Sequence, residues 1–263
     1  MFRALYTAAS GMQAQQTNLD TIANNLSNSS TAGFRSRRMQ FQDLIYQSIV
    51  MPGAAASQQT TVATGLQVGL GTRSSASEII QLQGDLSATG NPFDLAIEGQ
   101  GFFQVLLPTG ETAYTRSGAF HQDAQGNVVT SDGNPLQPAI TIPAGATSVT
   151  IAPDGTLSVT LAGQTAAQQV GSLQLAQFPN PGGLNSVGKN LFLATTASGD
   201  PAVGTPGGTD GLGQIEQGYL EQSNVSVVDE FINMIVAQRS YEASSRVVQA
   251  ADQMFQLINQ LGR

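Results

Sequence analysis

Residues 238–261 read QRSYEASSRVVQAADQMFQLINQL, a run with neither Gly nor Pro. Steps of three and four, begun one turn earlier, pick out Met234, Ala237, Tyr241, Ser244, Val248, Ala251, Phe255 and Ile258. This is a heptad seam that alternates large and small side chains. A second seam, Val247, Ala250, Met254, Leu257 and Leu261, repeats beside it, one position out of phase. The combined apolar arc is too wide for one neighbouring helix, so the spacing predicts a helix that needs at least two partners.

The same period recurs at the other end of the chain. In LYTAASGMQAQQTNLDTIANNL, residues 5–26, Leu5, Met12, Leu19 and Leu26 fall seven apart, with Ala8, Gln15 and Ile22 between them. Period alone fits a core helix at each end of one globular domain equally well. The two-sided seam favours association instead, because a lone chain would leave one apolar face in water.

Between about residue 28 and residue 224 the helical period gives way to turn residues. GFFQVLLPTGETAYTRSGAFHQDAQGNVVTSDGNPLQPAITIP, residues 101–143, sets short apolar runs between Pro/Gly/Asp/Asn clusters, the spacing of β-hairpins. In SVTIAPDGTLSVTL, Asp154-Gly155 supplies a tight turn flanked by Val149, Ile151, Leu157 and Val159. The expected fold is therefore α+β: terminal helices pairing as a coiled coil around a central antiparallel β domain. Expected boundaries are an N-terminal helix over 1–30, an extended arm or hairpin and linker over 31–72, the β domain over 73–215 and a C-terminal helix over 216–263. The arm holds MPGAAASQQTTVATGLQVGLGTR, in which Val62, Leu66, Val68 and Leu70 are spaced as anchors of an extended edge. Pro52 and Gly53 turn the chain, and Gly65, Gly69 and Gly71 permit close approach to a neighbour. The Gly/Pro/Thr-rich segment Thr196–Gln214 reads as a mobile surface loop.

Composition excludes several functions. Only 11% of residues are charged, and the net charge of −8 offers no basic stripe for a nucleic acid. The cluster Arg35, Arg37 and Arg38 in FRSRR is small and reads as solvated or bridging between subunits. No run approaches the ~20 apolar residues of a bilayer span, and polar residues from Ser10 onward interrupt any secretory signal. The chain has no Cys and one His, His121, so neither a disulfide framework nor a metal set is expected, and no cofactor. Ser186 and Lys189 in NSVGKN imitate a Ser-x-x-Lys nucleophile without its companion motifs. Asp94, Glu98 and Glu111 lie in the acidic β region, the sole support for a secreted protein that binds or cleaves cell-wall glycan; their spacing fixes no acid–base pair. No catalytic constellation is expected, and the chain reads as a structural protein.

SGMQAQQTNLDTIANNLSNSSTAGFRSRR, residues 10–38, resembles the opening signature of the bacterial flagellar rod and hook proteins. GYLEQSNVSVVDEFINMIVAQRSYEASSRVVQAADQM, residues 218–254, is similar to their closing signature, with Leu220, Glu221, Ser223, Asn224, Val225, Gln238, Arg239, Tyr241 and Glu242. DLAIEGQGFFQV, YTRSGAF and GNPLQPAITIP extend the likeness through the middle. The insert from Leu44 to Arg73 is similar to that of members from the distal segment of the rod.

The resemblance implies a subunit of a rigid helical tube, the drive shaft and export channel that spans the periplasm toward the outer membrane. It implies export without a cleaved signal peptide. Expected partners are copies of the chain itself, proximal rod subunits, hook subunits or the hook–rod junction, the surrounding P- and L-ring proteins, and the flagellar export apparatus. Subunit contacts are expected at Leu5, Met12, Leu19, Ile22 and Leu26 of one helix and at Met234, Tyr241, Val247, Val248, Met254, Phe255, Leu257, Ile258 and Leu261 of the other.

Overall fold

The computed structural model describes residues 2–53, 63–163, 166–208 and 211–261, with the side chains of Phe2, Asn259 and Leu261 outside that description. In chain order, a region built almost wholly of strands lies between two long helices, α1 (Phe2–Ser27) and α2 (Val227–Leu261). The chain divides into two compact units: residues 1–27, 37–78 and 226–263 form the first, and residues 28–36 and 79–225 the second.

In the first unit, α1 packs against α2. Asn25 is hydrogen-bonded to Glu230, and 14 residues earlier on α1 and later on α2 Gly11 lies beside Ser244, so the helices run antiparallel in step. The matched stretch is about 21 Å long at the rise of an α-helix. Small side chains let the backbones approach: Ala8 and Ala14 on α1, and Ala237 and Ala251 on α2, are buried, with Ile22 the large residue among them. Strand Arg37–Asp43 pairs with Thr72–Ile79. Strand Tyr46–Val50 pairs antiparallel with Leu66–Gly69, forming a hairpin that Pro52 and Gly53, at φ +82°, begin to close.

The second unit is centred on a sheet in the order Asn185–Gly188, Leu191–Leu193, Thr112–Thr115, Phe102–Leu106, Leu175–Gln177, Ala202–Gly204, with Leu136–Gln137 paired to Phe102–Leu106. Alternation along Phe102–Leu106 gives the sheet two apolar faces. Phe103 and Val105 join Leu95, Ile97, Phe120 and Leu136 in one core, with the Phe103 and Phe120 rings edge to face at 5.2 Å. Phe102 joins Tyr114, Phe178 and Phe192 in the other, with ring centroids 4.7–6.0 Å apart. The turn at Asp154-Gly155 sets Val149 opposite Val159 and Ile151 opposite Leu157, the register expected from the sequence. The segment expected to be a loose loop is more ordered than its composition implies. It contributes the edge strand Ala202–Gly204 and buries Ser198 and Leu212, because short polar and small residues satisfy their own backbone there.

Gly118, in YTRSGAF, shows why this unit requires its glycines: a Cβ there would lie 1.6 Å from the Leu95 carbonyl oxygen. Gly118→Ala is expected to cost at or beyond the ~1–3 kcal/mol of an overpacked core. Gly133→Ala, in open space but at φ +82°, is expected to cost about 1–2 kcal/mol from left-handed backbone alone. Denaturant unfolding of the two variants checks the order; equal midpoints would contradict it.

Candidate assembly site

Two groups of signature residues act as internal anchors. In the first unit Asn25 is buried, and its carboxamide reads as a strand partner for Arg37. Oδ1 accepts from the Arg37 N–H at 2.9 Å, while Nδ2 donates to the Arg37 carbonyl at 2.8 Å and to Glu230 Oε1 at 2.9 Å. An amide presents its donor and its acceptor on separate atoms, matching the two groups of one backbone residue. One side chain thus joins the end of α1, the following strand and the start of α2.

In the second unit Glu221, fully buried in strand Tyr219–Glu221, is held by two arginines. Its Oε1 lies 2.7 Å from Arg35 Nη1 and accepts from the Gly84 N–H at 2.9 Å; its Oε2 accepts from Arg116 Nε at 2.9 Å. Arg116 also donates through Nη1 to the Gly99 and Gly101 carbonyls and through Nη2 to that of Ile97. Arg35 donates in addition to the Leu82 carbonyl. Burial is the leading influence on both guanidiniums: it pushes the Arg35 pKa down to about 10 and lowers that of Arg116, against the opposing pull of Glu221. Asn224 completes the knot, accepting from the Ser36 N–H at 2.7 Å and donating to the Ile80 and Leu82 carbonyls. Gly33 fits beside it at φ +70°, where a Cβ would be 2.6 Å from the Ser117 nitrogen. Residues 33–36, 80–84 and 221–224 therefore close on one another within the second unit.

This corrects the reading of FRSRR as solvated or intersubunit. Arg35 is buried on an intramolecular carboxylate, because Glu221 and four backbone carbonyls replace its and Arg116's hydration. Arg38 makes an exposed pair with Glu78 at 3.0 Å.

The helix seams divide cleanly. Met234, Val248 and Phe255 are half-buried on the side of α2 that carries Ala237 and Ala251, as are Leu5, Met12, Leu19 and Leu26 on α1, and Ile22 is buried. Tyr241 sits at the margin, 38% exposed. Val247, Met254 and Leu257, of the seam beside the first, are exposed, and Ile258, of the first seam by period, is exposed with them. The side chain of Leu261 lies outside the described residues. Val228, Ile232, Ile235 and Val236 prolong the exposed stripe toward the start of α2. The sequence reading missed them, although their spacing in VVDEFINMIV carries the same period.

In the hairpin Leu66 is exposed and Val68 and Leu70 are half-buried, while Val62 lies outside the described residues. Ile45, Tyr46, Ile49 and Met51, also missed, are exposed there. The close approaches of Gly65, Gly69 and Gly71 are internal: a Cβ would meet Val50, Tyr46 and Ser10 respectively. Asp94 is buried and holds a turn, accepting from Thr89 at 2.6 Å and Asn91 at 3.0 Å, whereas Glu98 and Glu111 are exposed. His121 is exposed on a strand, and Lys189 pairs with Asp132 at 3.2 Å. Among the described residues no cluster of His, Asp and Glu is arranged to hold a metal, and no helix is long and apolar enough to cross a membrane.

Comparison with known proteins places these segments in families. Residues 5–35 match the family of flagella basal body rod proteins, 96–159 the D1 domain of the flagellar hook proteins FlgE/F/G, and 216–261 the C-terminal region of the flagellar basal body rod proteins FlgEFG. The chain is 49% identical to the flagellar basal-body rod protein FlgG of Caulobacter vibrioides over 98% of its own length and 99% of the relative's. It is 45% identical to that of Borreliella burgdorferi and 38% to that of Bacillus subtilis, both over 100% of each chain.

Replacing Glu221 by Gln leaves two buried guanidiniums without a counter-charge. The expected loss is about 3–5 kcal/mol, the cost of breaking a buried ion pair by removing one partner. Glu78→Gln, at the exposed pair, is expected to change little. Urea midpoints of the two variants decide the point, and an unperturbed Glu221→Gln would show that the knot is dispensable.

Proposed function

The chain belongs to the family of flagellar hook and basal-body rod proteins, and from that premise we propose that it is the subunit of the distal rod, polymerising into a rigid helical tube. Its place is the flagellar basal body, where the family assembles with other flagellar components. The observation that carries the reading is the apolar stripe on α2 from Val228 through Val236, Val247 and Met254 to Leu257, which one chain leaves in water. Each such side chain buried on assembly contributes roughly 1.5–3 kcal/mol, so a few suffice to hold neighbouring subunits. In the tube α1 and α2 form a coiled coil, the inner seam holding the pair together and the outer seam meeting adjacent copies. Leu261 belongs to that outer seam.

The hairpin is the second contact. Leu66, Val68, Leu70 and Val62 anchor it on neighbouring subunits together with Ile45, Tyr46, Ile49 and Met51. The expected order along the axis is proximal rod subunits below, hook subunits or the hook–rod junction above, and P- and L-ring proteins around the shaft. Passage through the export apparatus suits a Cys-free chain whose helical ends gain most of their burial on assembly. The role is mechanical and needs no cofactor.

Val236→Asp and Met254→Asp place a carboxylate on the outer stripe, where a single chain tolerates it and an interface does not. Electron microscopy of concentrated protein is expected to show tubes for the wild type and none for the variants, with unchanged circular dichroism at low concentration. Normal tubes from both variants would exclude the stripe as a subunit contact.

Deleting residues 51–66 removes the hairpin's far end and leaves the second unit intact. Curved or bendable tubes are expected in place of straight ones. Deletion tubes with wild-type persistence length, measured from micrographs, would leave the hairpin without a bracing role.

A further inference from the structure

The second unit carries a pocket of about 510 Å³ that no part of the foregoing uses. Phe102, Phe178, Pro179 and Pro181 supply apolar wall. Gln81, Gln83 and Gln100 are exposed among its lining residues and Gln177 half-buried, so carboxamides stand where an entering chain meets them. Among the described residues that line it, the only charged side chains are Arg35 and Arg116.

These two cations share one carboxylate. Glu221 balances half of their charge, and the cluster keeps an excess of one positive charge beneath the pocket. Arg116 is fully engaged, with Nε, Nη1 and Nη2 all donating. Arg35 is not: its Nε is buried without a hydrogen-bond partner. Burial is the largest influence drawing its pKa down to about 10, with Glu221 opposing it and Arg116 adding to it. An anion entering here feels that excess through poorly screening surroundings, where attraction far exceeds its value in water.

The pocket also adjoins an open backbone edge. Ala202 lines it and begins the edge strand Ala202–Gly204, which pairs on one side only, with Leu175–Gln177, among the described strands. Such an edge accepts an extended segment by main-chain hydrogen bonds, while an adjoining pocket selects one of its side chains.

We propose that this pocket receives an Asp or Glu side chain carried on an extended segment of a second copy of this chain. The proposal rests on the polymer reading above. Charge complementarity names the residue type, and the chain, with 18 acidic against 10 basic residues, supplies it. Polymerisation supplies the concentration, since a neighbouring copy is held at each pocket far above the level of a free solute. The apolar wall takes the methylene stem, the glutamines bond the segment's backbone, and the carboxylate offsets the unbalanced guanidinium.

The absence of Cys makes the test direct. A full-length Ala202→Cys chain carrying a benzophenone maleimide is assembled with isotopically labelled wild-type chain, irradiated and digested. The expected cross-link joins residue 202 to an Asp- or Glu-containing peptide of the other copy; links to acid-free peptides, or only within one copy, overturn the proposal. Independently, Gln177→Glu, which puts a competing carboxylate at the pocket, is expected to raise the critical concentration for assembly about tenfold or more. Gln177→Lys removes the same amide but brings no competing carboxylate, and is expected to assemble at close to the wild-type critical concentration. Equal critical concentrations for the two variants overturn the proposal while leaving the polymer reading in place. Failure of the wild type to assemble at all is the different result that removes the polymer reading and this inference with it.

Discussion

A carboxylate held between two guanidiniums is the contact on which the second unit depends. Glu221 lies late in the chain, Arg35 early and Arg116 midway, and each is buried. Desolvating three charges is expensive, and a buried ion pair rarely adds net stability over an apolar replacement. Its effect is on uniqueness. Any other pairing of these segments leaves a bare charge in the interior, so the ion cluster selects one arrangement of residues 33–36, 80–84, 97–101 and 221–224 against all competitors. The neighbouring carboxamide of Asn224 and the glycine at position 33 enforce the same choice by hydrogen bonding and by space.

The first unit is held by different means. Where the β unit buries phenylalanines and leucines in two cores, the helix pair buries mainly alanines, with Ile22 and Asn25 among them. Alanine brings the helices close, and Leu5, Met12, Leu19, Leu26, Met234, Val248 and Phe255 are half-buried around the contact. Other large residues stay outside. Val228, Ile232, Val236, Val247, Met254 and Leu257 are exposed along α2, an arrangement that is costly for a lone helix and suited to one that acquires neighbours.

The sequence displayed the helices openly because burial of a helix face imprints its period on consecutive residues. Two seams in residues 234–261 were enough to indicate two partners, and the structure places one seam inward with Ala237 and Ala251 and the other outward with Val247 and Met254. Hairpins were legible for a similar local reason: Asp154-Gly155 sets its own register. The buried ion cluster was not legible. Its partners are joined only by the folded chain, and FRSRR looks locally like any solvated basic run. Ile258 falls in the first seam by period yet is exposed in one chain, because the register that sets Asn25 beside Glu230 carries position 258 past the start of α1. Composition likewise concealed the strand Ala202–Gly204, whose place is set by Leu175–Gln177 beside it.

Growth of an open tube requires two different surfaces on each subunit. A patch that pairs with itself closes into a dimer, whereas a patch that meets a distinct one on the next copy continues without limit. The first unit exposes two apolar patches, the stripe on α2 and the hairpin with Ile45, Tyr46, Ile49 and Leu66. If the stripe of one copy meets the hairpin of the next under a rotation that does not close, growth is open-ended. An exposed hydrophobic surface, a liability in a free globular protein, is in this architecture the condition for polymer growth.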